Sequence, residues 1–124
     1  MSEKPIITVY KVINISSAHK LCLPYESKCN QIHGHNWKIE TWLTGKLNES
    51  KMVVDFTMIK KEVLKLDHTN INNFVEPSTA ENIAIYLAQR LFQLEPTNLI
   101  RVRVRVWETE TSYAEYDYVP SSQK

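Results

Sequence analysis

The chain is poor in the features that mark several large protein classes. It holds two glycines and two cysteines in 124 residues. So few glycines leave no flexible Gly/Ser linker between domains. Two thiols, Cys22 and Cys29, are too few to staple a chain of this size, which points to reduced cysteines. No sign of charge dominates either: 15 basic side chains stand against 14 acidic ones, for a net charge of +1. An overall field able to gather nucleic acid or an anionic membrane is therefore lacking. No stretch approaches the roughly 20 apolar residues that cross a bilayer, and no apolar leader-like segment follows Met1-Ser2-Glu3-Lys4-Pro5. The expectation is a cytoplasmic protein with neither membrane nor nucleic acid as partner. Repeats with a period of roughly 20–50 residues are missing too. What is present is an ordinary globular composition, 43% hydrophobic and 23% charged, on a length that suits one domain over 1–124.

Patterning predicts six elements. Residues 6–15 are β-branched and aromatic and read as a strand, broken by Ser16-Ser17 and a loop that carries both cysteines. From His33 to Leu43, His33, His35, Trp37, Ile39 and Leu43 share one face while Asn36, Lys38 and Glu40 share the other, a half-buried strand. Asp55 stands as N-cap before Phe56, Ile59, Val63 and Leu66, predicting a helix over 56–66. Ser78-Thr79-Ala80-Glu81 fits a capping box, and apolar positions at helical spacing then run to the block at Pro96, predicting a helix over 79–94. Ile100, Val102, Val104 and Val106 alternate with Arg101, Arg103 and Arg105 in a further strand, and 113–118 closes the set. The order β-β-α-α-β-β predicts an α+β fold, a four-stranded antiparallel sheet with two helices on one face and open edges that invite self-assembly.

Chemistry concentrates in Cys29-Asn30-Gln31-Ile32-His33-Gly34-His35. Residues i and i+2 of a strand project from the same side roughly 6.6 Å apart, so His33 and His35 form either a two-imidazole clamp on a cation or a hydrogen-bonded pair. Gly34 removes a side chain between them and makes room for another element to approach closely. His19 is the candidate third ligand, and three histidines without a fourth protein ligand leave the open position expected of a catalytic zinc. Cys29 fits a fourth ligand, a nucleophile, a general base or a small buried hydrophobe. Asp67-His68 reads as a proton relay or as a turn. Glu108 reads as an ordinary strand-end glutamate or as a carboxylate that accepts two N–H donors from a flat amidine-like ring edge. The three arginines read as a solvated or inter-subunit face, or as a surface for RNA together with Trp107 and the tyrosines.

Together these stretches resemble the 6-pyruvoyl-tetrahydropterin synthase and 6-carboxy-tetrahydropterin synthase family. The matching segments are Ser17-Ala18-His19-Lys20-Leu21, Cys29 to His35, Met52-Val53-Val54-Asp55-Phe56, Leu66-Asp67-His68 with Asn72, Pro77 to Asn82, and Val106-Trp107-Glu108-Thr109 with Ala114 and Tyr116. Lys51 departs from the family pattern, standing where a glycine often precedes the Met-Val-Asp-Phe-like stretch.

The resemblance implies a tunnelling fold (T-fold) assembled as a homohexamer, a dimer of trimers. It implies Zn2+ on His19, His33 and His35, Cys29 as proton acceptor, Asp67 and His68 as a relay, and Glu108 as the anchor of a pterin substrate. Thr79, Ala80, Glu81 and Thr109 are implied as further substrate contacts. The three residues between Cys29 and His33 resemble the bacterial 6-carboxy branch of queuosine biosynthesis. The pyruvoyl-forming branch typically has five, and a hydroxymethyl-forming branch typically has glutamate in place of the cysteine. The implied reaction is a lyase conversion of 7,8-dihydroneopterin triphosphate to 6-carboxy-5,6,7,8-tetrahydropterin with loss of acetaldehyde and triphosphate. The alternatives are 6-pyruvoyl formation or a non-catalytic pterin-binding module.

Overall fold

A computed structural model describes residues 4–120. Four strands, β1 (Ile7–His19), β2 (His33–Gly45), β3 (Leu99–Thr109) and β4 (Ser112–Tyr118), form one antiparallel sheet in the order β1-β2-β3-β4. Two helices, α1 (Phe56–Val63) and α2 (Ala80–Phe92), lie between β2 and β3 in sequence and cover one face. The α+β architecture is therefore the expected one, and among the described residues no helix is long and apolar enough to cross a membrane.

Strand parity decides what each face carries, because successive side chains point to opposite sides. Ile13, Ile15, Trp37, Ile39, Leu43, Val102, Val104 and Val106 all point toward the helices and are buried. The register lines them up, Ile13 opposite Ile39 and Ile39 opposite Val106. From α1 come Ile59 and Val63, and from α2 Ile83, Ala84, Leu87, Ala88, Leu91 and Phe92, closing the core. One buried carboxylate joins the helices: Glu62 accepts from Lys65 Nζ and from Arg90 Nε, both at 3.0 Å.

The boundaries differ from the pattern in instructive ways. β1 does not stop at the serines but continues to His19, paired opposite His33. The reason is a strap along its outer edge. Ser16 N–H donates to Asp67 Oδ1 (2.8 Å), His68 N–H to the Ser16 carbonyl (2.7 Å) and Ala18 N–H to the Thr69 carbonyl (3.1 Å). The backbone of 16–18 thus has partners on both sides, which overrides the weak strand preference of serine. Asp55 does cap α1, accepting from Thr57 N–H at 2.9 Å. The helix, however, ends at Val63 and tightens into a 3-10 turn over Leu64–Leu66. α2 is capped by Thr79, not Ser78: Thr79 Oγ1 accepts from Asn82 N–H at 3.1 Å. Ser78 is buried, and its carbonyl is engaged elsewhere.

Gly34 does not serve a close approach. It points away from the helices, and no atom of the chain lies within 4 Å of where its Cβ would stand. The glycine that the packing requires is Gly45, where a Cβ would run into the Asn98 carbonyl.

Candidate active site

The row of buried residues that forms the core ends, toward the His19 end of the sheet, in polar groups. Past Ile15 on β1 come Ser17 and His19; before Trp37 on β2 come His35 and His33; past Val106 on β3 comes Glu108. All share the helix-side parity, so the same alternation that builds the core delivers four potential ligands to one place. One ligating atom from each of His19, His33, His35 and Glu108 lies within 4.8 Å of the others. Glu108 Oε2 is 3.3 Å from His19 Nε2 and 3.6 Å from His35 Nε2. Trp37 forms the floor, its ring centroid 4.9 Å from that of His19 and 5.1 Å from that of His35. The indole N–H is tied to the Ser17 carbonyl at 3.1 Å.

Backbone carbonyls set the tautomers. His19 Nδ1 lies 2.8 Å from the Ser78 carbonyl and His33 Nδ1 2.7 Å from the Gln31 carbonyl. A carbonyl only accepts, so each Nδ1 carries the proton and each Nε2 presents a bare lone pair. His35 is held below the usual imidazole range, chiefly by burial and further by its two histidine neighbours, against the pull of Glu108. The Nε2 atoms of His19 and His35 are buried and have no hydrogen-bond partner. Unpaired buried ring nitrogens of this kind are costly unless a cation satisfies them. The donor set, imidazoles with a carboxylate, suits zinc or a comparable divalent ion. A metal therefore fits these residues.

The remaining candidates lie around this centre. Cys29 sits half-buried in a 3-10 turn over Lys28–Asn30, outside the four-residue cluster. Ser27 Oγ caps that turn at Cys29 N–H (3.1 Å), and the Cys29 carbonyl accepts from Leu21 N–H (2.6 Å), which ties the turn to the chain just beyond His19. Cys22 is exposed and, like Cys29, a free thiol. Asp67 and His68 are not brought into the cluster. They belong to the edge strap, with His68 Nε2 3.6 Å from Asp67 Oδ2, its side chain 81% exposed and its backbone left-handed at φ 54°. Thr79 and Ala80, half-buried, and Glu81, exposed, open α2 immediately after Ser78. A depression of about 530 Å³ beside the cluster is lined by Lys20, Cys22, Gln31, Asn70, Asn72 and Glu76, among others.

Sequence reading missed Ser78 and Gln31 as the groups that orient the ligands. Every residue carries a carbonyl, so no residue-type signal could single these two out. It also missed Glu40, which sits on the opposite face of the sheet. Tyr10 Oη and Trp107 Nε1 both donate to the Glu40 carboxylate at 2.6 Å. The arginines of β3 are committed on that same face, Arg101 to Asp117, Arg103 to Asp117 and Glu115, and Arg105 to Glu115 and Glu40. Among the described residues this ladder offers no free guanidinium row for phosphate, contrary to the RNA-surface reading.

Comparison with known proteins agrees with this architecture. The family model for 6-pyruvoyl tetrahydropterin synthase matches residues 8–118. An Archaeoglobus fulgidus protein named "Putative 6-carboxy-5,6,7,8-tetrahydropterin synthase" is 39% identical over 120 residues, covering 93% of this chain and 97% of its own. The 6-carboxy-5,6,7,8-tetrahydropterin synthase of Haemophilus influenzae is 30% identical, covering 87% and 96%. Among solved structures, Caenorhabditis elegans 6-pyruvoyl tetrahydropterin synthase superposes with a TM-score of 0.69 at 33% identity over 98% of this chain and 100% of that one. The fold and the polar cluster define an α+β enzyme with a candidate metal centre at one end of its sheet. The chain belongs to the 6-pyruvoyl tetrahydropterin synthase family, a family of lyases.

Proposed function

We propose that the protein is a zinc-dependent 6-carboxy-5,6,7,8-tetrahydropterin synthase of queuosine (7-deazaguanine) biosynthesis, a cytoplasmic homohexamer built from subunits that use 1–124 as one domain. The observation that carries this reading is the convergence of His19, His33 and His35, with two unpaired Nε2 atoms, in a chain of this family. The three-residue spacing from Cys29 to His33 and the 6-carboxy names of two relatives support the carboxy product over the pyruvoyl one.

The substrate is 7,8-dihydroneopterin triphosphate. His19, His33 and His35 hold the zinc, which when bound supplies Lewis acidity toward the side-chain hydroxyl region of the pterin. Cys29 accepts a side-chain proton from its turn beside His19, and the Asp67-His68 pair moves another, so the two proton transfers use bases at different places. Because His68 is exposed and apart from the cluster, the pair acts on substrate through assembly. The backbone edges of β1 over 7–15 and of β4 supply unpaired groups for that assembly. Thr79, Ala80, Glu81 and Thr109 border the pterin, and Glu108 receives its amidine edge.

The test is incubation with dihydroneopterin triphosphate and identification of the product by mass, alongside metal analysis. We expect the 6-carboxy product and about one zinc per subunit, lost in His33→Ala. A 6-pyruvoyl product reassigns the branch. Pterin binding without turnover makes the protein a binding module.

A further inference from the structure

From the acceptor geometry around Glu108 we infer that its carboxylate is the fourth ligand of the resting metal site, closing the position that three histidines alone would leave open. The inference rests on the proposed metal binding and goes beyond the ring-anchoring role given to Glu108 there.

Ser78 keeps the proton of His19 on Nδ1, so Nε2 faces the centre as an acceptor. Glu108 Oε2 approaches it to 3.3 Å and is 3.6 Å from His35 Nε2. A carboxylate oxygen against a bare imidazole nitrogen is acceptor against acceptor, a contact that repels unless a positive centre lies between. The separations also match a shared ion. Ligand bonds of about 2.0–2.1 Å in a tetrahedron place neighbouring donor atoms about 3.3–3.4 Å apart. Glu108 Oε2 sits at that edge length from His19 Nε2 and slightly beyond it from His35 Nε2.

The strand makes this placement deliberate. Glu108 has the parity of Val102, Val104 and Val106, so its Cα–Cβ bond points into the cluster side of β3. Trp107, with the opposite parity, is pinned on the far face by its 2.6 Å bond to Glu40. That bond holds the residue before the carboxylate on the opposite face of the sheet. A pterin entering the site then meets Glu108 already engaged and has to draw it away, which makes the residue a gate as well as an anchor.

The test compares wild type, Glu108→Gln and Glu108→Ala without any pterin present. Zinc affinity is measured by competition with a chromophoric chelator, and the visible spectrum is recorded with cobalt(II) in place of zinc. The exposed Glu110→Gln serves as a charge-matched control. We expect both Glu108 variants to bind zinc at least about tenfold more weakly. The visible spectrum of the cobalt(II) form should change in both Glu108 variants and become pH-dependent in Glu108→Ala, as water takes the carboxylate's place on the ion, while Glu110→Gln leaves both readings unchanged. Unchanged affinity and spectrum in the Glu108 variants, with only the KM for pterin raised, overturn the inference and leave the ring-anchoring role standing. A wild-type chain that takes up no metal overturns the proposed function itself.

Discussion

Two polar regions of the same sheet follow opposite rules. On the face away from the helices, charges are matched: Arg101 forks onto Asp117 with bonds of 2.8 and 2.5 Å, and Arg105 reaches Glu115 at 2.8 Å. Arg105 also lies 5.0 Å from the ring centroid of Trp42 and 4.5 Å from that of Tyr113. Arg103 Nε, the one ladder atom without a hydrogen bond among the buried atoms there, still sits 3.6 Å from Glu115. At the His19 end of the helix face, by contrast, acceptors converge with nothing to satisfy them. A matched network is finished as structure, whereas an unmatched buried one needs something from outside the chain. The difference locates the site more sharply than the size of a surface depression: one of about 690 Å³, larger than the one beside the cluster, is formed by loop residues such as Lys4, Asn48, Lys51 and Glu95 near the Gly45 end.

The comparison breaks first at Cys29. If the unmatched region is a reaction centre, Cys29→Ala should lower turnover by at least about a hundredfold, the lower range for loss of one proton-transfer group. Zinc content and the circular dichroism spectrum should be retained, because the thiol stands outside the ligand cluster. Near-normal turnover would remove Cys29 from the chemistry and leave the cluster as a metal site without its base.

The ladder side should respond in stability, not in chemistry. Burial alone would push the Glu40 carboxyl up, but the hydrogen bonds from Tyr10 and Trp107, with Lys38 and Arg105 nearby, hold it below its ordinary 4.5. A lowered carboxyl contributes stability above the unfolded value that is lost as pH falls through the folded one. Glu40→Gln should therefore cost about 1–3 kcal/mol at pH 7, and its gap to wild type should narrow as pH drops below 4.5. Tyr10 has the opposite sign. Burial and the bond to Glu40 push its phenol up to about 12. The unfolded chain ionises near 10, so the contribution fades between 10 and 12, and Glu40→Gln should blunt that alkaline limb. Urea midpoints at acid, neutral and alkaline pH measure both.

How far these regions were legible in sequence follows from what carries each signal. The core and the ligand faces were readable because strand period alone fixes them: His33 and His35 share the parity of Trp37, Ile39 and Leu43. The convergence of His19 was only half readable. Its strand runs on past Ser16 because of a strap from residues 67–70, a long-range partner that no local pattern announces. Glu108 was legible as a chemical group but not as a neighbour of His19 and His35, because that depends on the β2–β3 register. Nor could the commitment of the arginines be read, since it needs the register of β3 with β4 that sets Arg103 opposite Asp117 and Arg105 opposite Glu115.

The smallest expected effect lies outside both regions, where sequence did leave a mark. Lys51 replaces a residue that resembling sequences often fill with glycine, and its backbone is left-handed at φ 65°. The turn around it is fixed by bonds between Asn48 and Met52 (2.7 Å) and between Lys51 and Asn48 (3.0 Å), so the conformation is imposed on a side chain that disfavours it. Such a placement costs about 1–2 kcal/mol for a residue with a Cβ, offset in part by the entropy glycine loses on folding. Lys51→Gly should therefore stabilise the chain by about 0.5–1 kcal/mol, a rise of a few degrees in Tm, with turnover unchanged. His68 shares the left-handed backbone at φ 54° but carries a proposed proton-transfer group. His68→Gly should relieve similar strain while lowering turnover, which separates conformational cost borne without chemical use from the same cost borne at a reactive side chain. A Tm that falls in Lys51→Gly would mean that the lysine side chain itself holds the turn.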